Sequence, residues 1–168
     1  YIDRSILLAM LSPIKAEFSL SDGQIGDINA SFMFGYMIFS PFFAYFGDRS
    51  PRKFLIFLGV LVWSFGTWAG GWSIGILTLL GARFLVSLGE ASFGAIGSSV
   101  ISDKFSGPKR NTALTIFYAT IPVGYALGYI LGGFMHKHPD IGWRQALGWV
   151  GVPGIFAALI LLPFREPE

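Results

Sequence analysis

The feature that most constrains this chain is an apolar stretch, Ile74 to Ile101, that is long enough to cross a bilayer and yet carries two charges. About 20 apolar residues span the hydrocarbon core, and a charge near its centre costs at least about 2.5 kcal/mol on insertion scales. Arg83 and Glu90 are seven residues apart, so they share one face of a helix and lie roughly 10 Å apart along its axis. We therefore predict that this helix lines a polar pathway through a membrane protein.

Composition agrees with a membrane protein. Only 13% of the 168 residues are charged, against about 25% in soluble domains. The net charge of +2 gives no reason to expect nucleic acid as a partner. The chain has no cysteine, which excludes disulfides, a thiol nucleophile and cysteine-bound metal. His136 and His138 have no third ligand beside them, so the sequence predicts no metal site and no cofactor.

The apolar stretches predict an all-α membrane protein with six helices joined by polar loops, the first loop over residues 13–27. The predicted helices cover approximately residues 1–12, 27–47, 53–72, 74–102, 111–135 and 144–164. The first would be only about 18 Å long, against a core of about 30 Å. We therefore expect the chain to begin inside its first helix and to belong to a longer protein. Three glycines at spacings of four, Gly124, Gly128 and Gly132, predict a helix-packing seam.

The loops alternate between the two sides of the predicted bundle, and the two sides differ in charge. One side carries seven cations and the other carries three, Lys15, Lys137 and Arg144. The positive-inside rule places the richer side in the cytoplasm. We therefore predict a multi-pass protein of the cell or inner membrane, surrounded by lipid bilayer, with its N-terminus and its loops 47–53 and 103–110 cytoplasmic.

Four charged residues are predicted to meet inside the membrane: Asp3, Arg4, Arg83 and Glu90. Asp3 lies about 13 Å below the outer end of the first helix and Arg83 about 12 Å below the outer end of the fourth, so their depths match. Arginine binds phosphate or carboxylate with two parallel hydrogen bonds, which makes Arg4 and Arg83 candidates for binding a head group. The charge of a buried carboxylate responds to its surroundings, which makes Asp3 and Glu90 candidates for carrying protons. The alternative is a structural ion pair that only locks the first helix to the fourth.

A charged loop between the second and third helices adds a family signature. Asp48 and Arg49 are followed by Arg52 and Lys53, which resembles the loop signature of the major facilitator superfamily at this position. Ala44 and Pro51 stand where the family has glycines. The fourth helix, with Arg83 followed by Gly89 and with Ser87 in place of the usual glycine, also resembles that family, as does the glycine-rich fifth helix.

Within the superfamily the stretches 1–4, 83–92 and 121–129 are most similar to the Spinster lipid transporters. The resemblance implies the N-terminal half of a twelve-helix transporter that works by alternating access together with its C-terminal half. For the alternative of a membrane-embedded enzyme the sequence offers no nucleophile–base pair and no metal set, so we do not expect an enzyme. The resemblance also implies protons and an amphiphilic lipid, either a lysophospholipid or a sphingolipid-like molecule, as the species moved. In such a protein Asp48, Arg49, Arg52 and Lys53 would form a conformational latch against the opposite half.

Other interpretations of the sequence remain open. Tyr36, Phe117 and Tyr118 are candidates for lining a cavity for a lipid tail, but aromatic residues also face lipid. A transporter of the same superfamily for another organic anion or a drug would carry the same signatures, and substrate competition would separate the two. A non-transporting membrane receptor or scaffold, with static buried charges, belongs to a different class.

Overall fold

The computed structural model describes residues 1–47, 49–138 and 140–161, and these form helices and loops without a strand. The helices are α1 Ile2–Ala9, α2 Leu11–Phe18, α3 Asp22–Gly47, α4 Arg52–Gly70, α5 Ile76–Lys104, α6 Gly107–Lys137 and α7 Trp143–Leu161. Four of them, α3 to α6, are long and apolar enough to cross a membrane by length and composition. The predicted all-α membrane architecture is confirmed.

The chain forms two short helices where the sequence predicts one helix over residues 1–12. α1 ends at Ala9, and Met10, with φ −98° and ψ 7°, separates it from α2. Pro13 explains the break, because it lacks an N–H and its ring would collide with the carbonyl of Ala9 in a continuous helix. Proline is tolerated in the first turn of a helix, so α2 occupies much of the predicted polar loop and buries Ile14.

The third helix also begins earlier than predicted, at Asp22 rather than near residue 27. Ser21 and Gln24 form a reciprocal cap: the Gln24 N–H donates to Ser21 Oγ at 3.3 Å, and the Ser21 N–H donates to Gln24 Oε1 at 2.9 Å. This cap satisfies orphan backbone groups and lets the helix begin in a polar segment.

Helix α5 lies at the centre of the bundle and packs most extensively on α3 and α4. Glycines make the contact with α4 possible. A Cβ atom on Gly89 would lie 2.3 Å from the carbonyl oxygen of Gly59 and 2.5 Å from the backbone nitrogen of Trp63. The two backbones therefore touch, as small residues allow in membrane helices, and this contact fixes the turn that carries Glu90.

The predicted glycine seam on α6 is confirmed, and it packs against α1. Gly124, Gly128 and Gly132 are the buried residues of α6. A Cβ on Gly128 would lie 2.5 Å from Ser5 Cβ and 2.6 Å from the carbonyl oxygen of Ile2. The seam therefore sets the position of α1, the helix that carries Asp3 and Arg4.

A polar cluster, here called the clamp, closes the end of the bundle where α2, α7 and the α4–α5 turn meet. It consists of Glu17, Ser73, Trp143 and Arg144. Trp143 Nε1 donates to Glu17 Oε2 at 2.6 Å, and Arg144 donates to Glu17 and, at 2.8 Å, to the carbonyl oxygen of Ser73. Below the clamp lies the apolar core, formed by Ile6, Leu7, Met10, Ile14, Leu20, Ile28, Leu79, Trp143, Ala146 and Leu147.

The clamp predicts a pH-dependent contribution to stability. Hydrogen bonds from Arg144 and then from Trp143 hold the pKa of Glu17 below its usual range. A depressed carboxyl pKa contributes stability above the unfolded value of about 4.3 and loses it as pH falls through the folded value. We expect Glu17→Gln to lower the thermal unfolding temperature at pH 7. The corresponding loss in the free energy of unfolding is about 1 kcal/mol or less, because the pair is partly exposed.

This difference between wild type and Glu17→Gln should shrink as the pH is lowered from 7 to 3. Thermal unfolding of the full-length protein in detergent measures it. Asp27→Asn, which removes an exposed acid outside the clamp, serves as the control. A difference that stayed constant across this pH range would contradict the assignment.

Candidate functional site

An ion pair joins α1 to α5 in the interior of the bundle. Arg4 Nη2 donates to Glu90 Oε2, and the two side chains are 11% and 10% exposed. Arg4 lies in the first turn of α1 and Glu90 in the middle of α5, so the pair connects residues 86 positions apart in the sequence. Two of the four charges predicted to meet inside the membrane are therefore in direct contact.

The pair leaves hydrogen-bonding capacity unused. Among the described residues, Glu90 Oε1 and Arg4 Nε have no hydrogen-bond partner. A buried polar atom without a partner is costly, and inside a membrane protein such an atom often marks a place where a proton, water or ligand binds. The pair can thus accept a proton on the carboxylate or an anion on the guanidinium.

The remaining two charges of the predicted network lie close to this pair without bonding to it. Asp3 accepts a hydrogen bond from Thr67 Oγ1 at 3.4 Å, which ties α1 to α4. Arg83 is 5% exposed, and its Nε has no hydrogen-bond partner among the described residues. Arg83 interacts electrostatically with both Asp3 and Glu90.

A cavity of about 420 Å³ opens beside the Arg4–Glu90 pair. Its wall has a charged part and an aromatic part, contributed by α1, α3, α4, α5 and α6. The lining residues are Tyr1, Asp3, Arg4, Tyr36, Trp63, Glu90, Phe93, Gly94, Phe117, Tyr118, Thr120 and Ile121. The three aromatic residues proposed from the sequence, Tyr36, Phe117 and Tyr118, all lie in this wall.

Arg83 does not appear in the cavity wall, although the sequence places it with Arg4 as a residue for binding a head group. The ring of Phe32 lies next to both arginines, 4.0 Å from the guanidinium carbon of Arg4 and 4.9 Å from that of Arg83. Of the two arginines, Arg4 is therefore the one available to a molecule in the cavity.

Sequence reasoning missed several aromatic residues of the site. Trp63 and Phe93 contact edge to face with ring centroids 5.8 Å apart, and Phe93 lies 5.7 Å from Phe117. Tyr36 packs closely on Gly94 of α5: a Cβ there would lie 2.2 Å from the Tyr36 hydroxyl oxygen, so a larger residue would displace the end of the tyrosine side chain. The run of small residues that follows Glu90 was the available signal for this close approach.

The loop that follows α3 is held by Arg52. Its Nε donates to the carbonyl oxygen of Gly47 at 3.0 Å, and its Nη1 pairs with Asp103 at the end of α5. Arg49 donates to the carbonyl oxygen of Tyr45 at 3.2 Å and lies 3.8 Å from the centroid of its ring. Asp48, the acid of the predicted latch, lies outside the described residues. Asp103 was not part of the prediction, and it connects the loop to the helix that carries Glu90.

The sequence matches the Major Facilitator Superfamily over residues 1–168, and the chain belongs to that family. Within it the chain is similar to Spinster proteins. Protein spinster of Drosophila melanogaster is 34% identical over 99% of this chain and 27% of its own length. Protein spinster homolog 1 of Mus musculus is 38% identical over 99% of this chain and 32% of its own length. The sphingosine-1-phosphate transporter SPNS2 of Danio rerio is 33% identical over 100% of this chain and 34% of its own length.

A solved structure agrees with these relatives. The crystal structure of a bacterial homolog to the human lysosomal transporter Spinster, inward-facing and unoccupied, matches with a TM-score of 0.84 and 29% identity. The match covers 99% of this chain and 40% of that chain. The predicted family and its Spinster resemblance are therefore confirmed, while the chain spans about a third of the length of the curated relatives it matches.

Proposed function

We propose that the chain forms the N-terminal half of a twelve-helix transporter that moves an amphiphilic lipid and couples this movement to protons. The observation that carries the proposal is the Arg4–Glu90 ion pair at the wall of a 420 Å³ cavity. Ionisable groups inside membrane proteins are costly and usually mark substrate or proton pathways. A static pair that only joins two helices needs no cavity beside it, so the cavity favours a ligand-binding site over a purely structural ion pair. Superfamily membership supports transport rather than catalysis.

Glu90 is the proposed proton carrier of this half, with Asp3 as a second. Protonation of Glu90 replaces an ion pair with a neutral acid and leaves the Arg4 guanidinium without its counter-charge. An anionic head group entering the cavity can then take the place of the carboxylate. Proton and substrate would thus act on the same arginine, and each would shift the protein toward the conformation that it binds better.

The two parts of the cavity wall suit the two parts of an amphiphile. Arg4 offers a planar guanidinium for a phosphate or carboxylate, and Trp63, Phe93 and Phe117 offer apolar surface for a chain. The zebrafish relative is named as a sphingosine-1-phosphate transporter, which agrees with an anionic single-chain lipid. A head-group role for Arg83 would need a rearrangement that uncovers it, because its side chain is buried.

The loop with Arg49, Arg52 and Lys53 is proposed, together with Asp48, to act as the conformational latch. Its ion pair with Asp103 connects it to α5, so movement of the loop and movement of the Glu90 helix would be linked. The opposite, C-terminal half of the transporter would supply the surface that the latch engages.

Reconstituted transport tests the proposal. The full-length protein is placed in liposomes with an imposed pH gradient, and the movement of a fluorescent lysophospholipid is followed. We expect gradient-driven movement that unlabelled lysophospholipid or a sphingoid phosphate inhibits. Inhibition by short organic anions alone would favour the alternative of an organic-anion or drug transporter. Tight binding without any movement would favour a receptor.

The proposed topology has its own test. In a cysteine-free form of the full-length protein, single cysteines at Lys53 and Lys109 should react with a membrane-impermeant thiol reagent only from the cytoplasmic side. A cysteine at Lys137 should react only from the opposite side, because its loop carries few cations. Labelling of all three positions from one side of sealed vesicles would contradict the arrangement.

A further inference from the structure

One aromatic ring contacts two buried arginines that come from different helices. Phe32 of α3 is 1% exposed. Its ring centroid lies 4.0 Å from the guanidinium carbon of Arg4 on α1 and 4.9 Å from that of Arg83 on α5. The face of an aromatic ring attracts a cation within about 6 Å, and the attraction grows when water is excluded. Phe32 therefore stabilises positive charge on both neighbours at once.

Hydrogen bonds account only in part for the positions of these arginines, since Arg4 Nη2 donates to Glu90 Oε2. The Nε atoms of Arg4 and Arg83 both lack a hydrogen-bond partner in the part of the chain that the structure describes. Arg83 is held there by the ring and by its electrostatic interaction with Asp3 and Glu90. Two guanidinium groups near each other also repel, and the repulsion is large in a medium of low dielectric constant.

We infer that Phe32 is a positioning residue, whose ring holds the Arg4 guanidinium at the cavity wall whether or not Glu90 is charged. The inference rests on the proposed function, because it concerns the site where the head group would bind. The ion pair with Glu90 is lost when the carboxylate takes up a proton, whereas the contact with the ring is not.

The rings of Tyr1 and Tyr36 also lie near the guanidinium carbon of Arg4, at 5.0 and 5.6 Å. The ring of Phe32 is nearer, at 4.0 Å. Once the ion pair is lost, removal of the Phe32 ring would let repulsion from Arg83 displace Arg4 from the position in which an anion meets it.

Stepwise fluorination of the ring tests this inference, because fluorine withdraws electron density from the ring face while nearly preserving its shape. Phe32 of the full-length transporter is replaced by mono-, di- and trifluorophenylalanine, and lysophospholipid transport is measured in liposomes. We expect KM to rise stepwise, by about tenfold across the series, with a much smaller change in kcat. A ring that only fills space would give no such progression.

Phe39 provides a matched control on the same helix. It packs edge to face on Phe84 of α5 with centroids 5.2 Å apart, and it makes no cation–π contact among the described residues. The same fluorinated series at position 39 should leave KM unchanged. Equal progressions at positions 32 and 39, or no progression at 32, would overturn the inference while leaving the proposed transport function in place.

Thermal unfolding gives a readout that does not depend on transport. The unfolding temperature should fall along the Phe32 series, and the fall should be smaller when Arg4 is replaced by glutamine, since the ring then has one cation fewer to attract. If wild type moves no lysophospholipid, the proposed substrate is wrong. The difference between the falls in unfolding temperature with and without Arg4 then decides by itself whether the ring holds Arg4. If the fall is the same with and without Arg4, the inference is wrong.

Discussion

Replacing Glu90 with glutamine should abolish gradient-driven transport in the full-length protein while leaving exchange of substrate across the membrane. Glutamine has nearly the same shape as glutamate but cannot take up or release a proton in the working pH range. It also cannot form an ion pair with Arg4, whose Nη2 donates to Glu90 Oε2 in the structure. The variant therefore removes the only group of α5 that the proposal uses as a proton carrier and keeps the cavity open.

The size of the effect follows from the energy that a gradient supplies. One proton moving down a difference of one pH unit releases about 1.4 kcal/mol, which sustains roughly a tenfold concentration ratio of substrate. If one proton moves with each lipid, wild type should build up about this ratio at steady state. Glu90→Gln should reach equal concentrations on both sides, as measured with fluorescent lysophospholipid in liposomes.

Several charged groups share the site, so the variant needs controls. Asp3 and Arg4 of α1 lie in the same cavity wall as Glu90, and Arg83 interacts with Glu90 along α5. Asp3→Asn made separately tells whether the second carboxylate carries the proton instead. Glu17→Gln, the same chemical change in the clamp, should keep its response to the gradient. A tenfold ratio retained by Glu90→Gln would remove Glu90 from the proton pathway.

The sequence identified the charged part of this site for a physical reason. A charge inside an apolar stretch is expensive, so Arg83 and Glu90 stood out without any structure, and counting along the helices placed Asp3 and Arg4 near them. The structure places Arg4 against Glu90. The glycines of α6 were identified as a packing seam in the same way, because small residues at spacings of four allow helices to approach.

The aromatic part of the site could not be predicted equally well. The chain has 17 phenylalanines. In a membrane protein, phenylalanines that face lipid and phenylalanines that face a cavity occur in the same kind of apolar sequence, so the sequence does not separate them. Phe32 carries no mark in the sequence, because its role depends on two arginines from other helices. The burial of Arg83 behind the cavity likewise depends on the packing of α1, α3 and α5. The separation of α1 from α2 was readable from Pro13 once the carbonyl of Ala9 was considered.

The position of α1 provides the second prediction with a large expected effect. Gly128→Ala should destabilise the full-length protein by about 1–3 kcal/mol, the usual range for overpacking a tight interface. The new methyl group would lie 2.5 Å from Ser5 Cβ and 2.6 Å from the carbonyl oxygen of Ile2. Backbone atoms cannot turn away as the end of a side chain can, so α1 must shift away from α6.

Gly133 supplies the matched control on the same helix, because a Cβ there would meet nothing within 4 Å. Alanine is favoured over glycine in a helix by roughly 0.8–1.0 kcal/mol, so Gly133→Ala should be neutral or slightly stabilising. The same helix propensity acts in Gly128→Ala, where it opposes the loss of stability that overpacking causes. Thermal unfolding in detergent compares the two variants. Because a shift of α1 also moves Arg4 away from Glu90, Gly128→Ala should weaken lysophospholipid transport, whereas Gly133→Ala should not. Equal stability and equal transport in the two variants would show that α1 does not rest on this seam, and the geometry of the Arg4–Glu90 pair would then need another support.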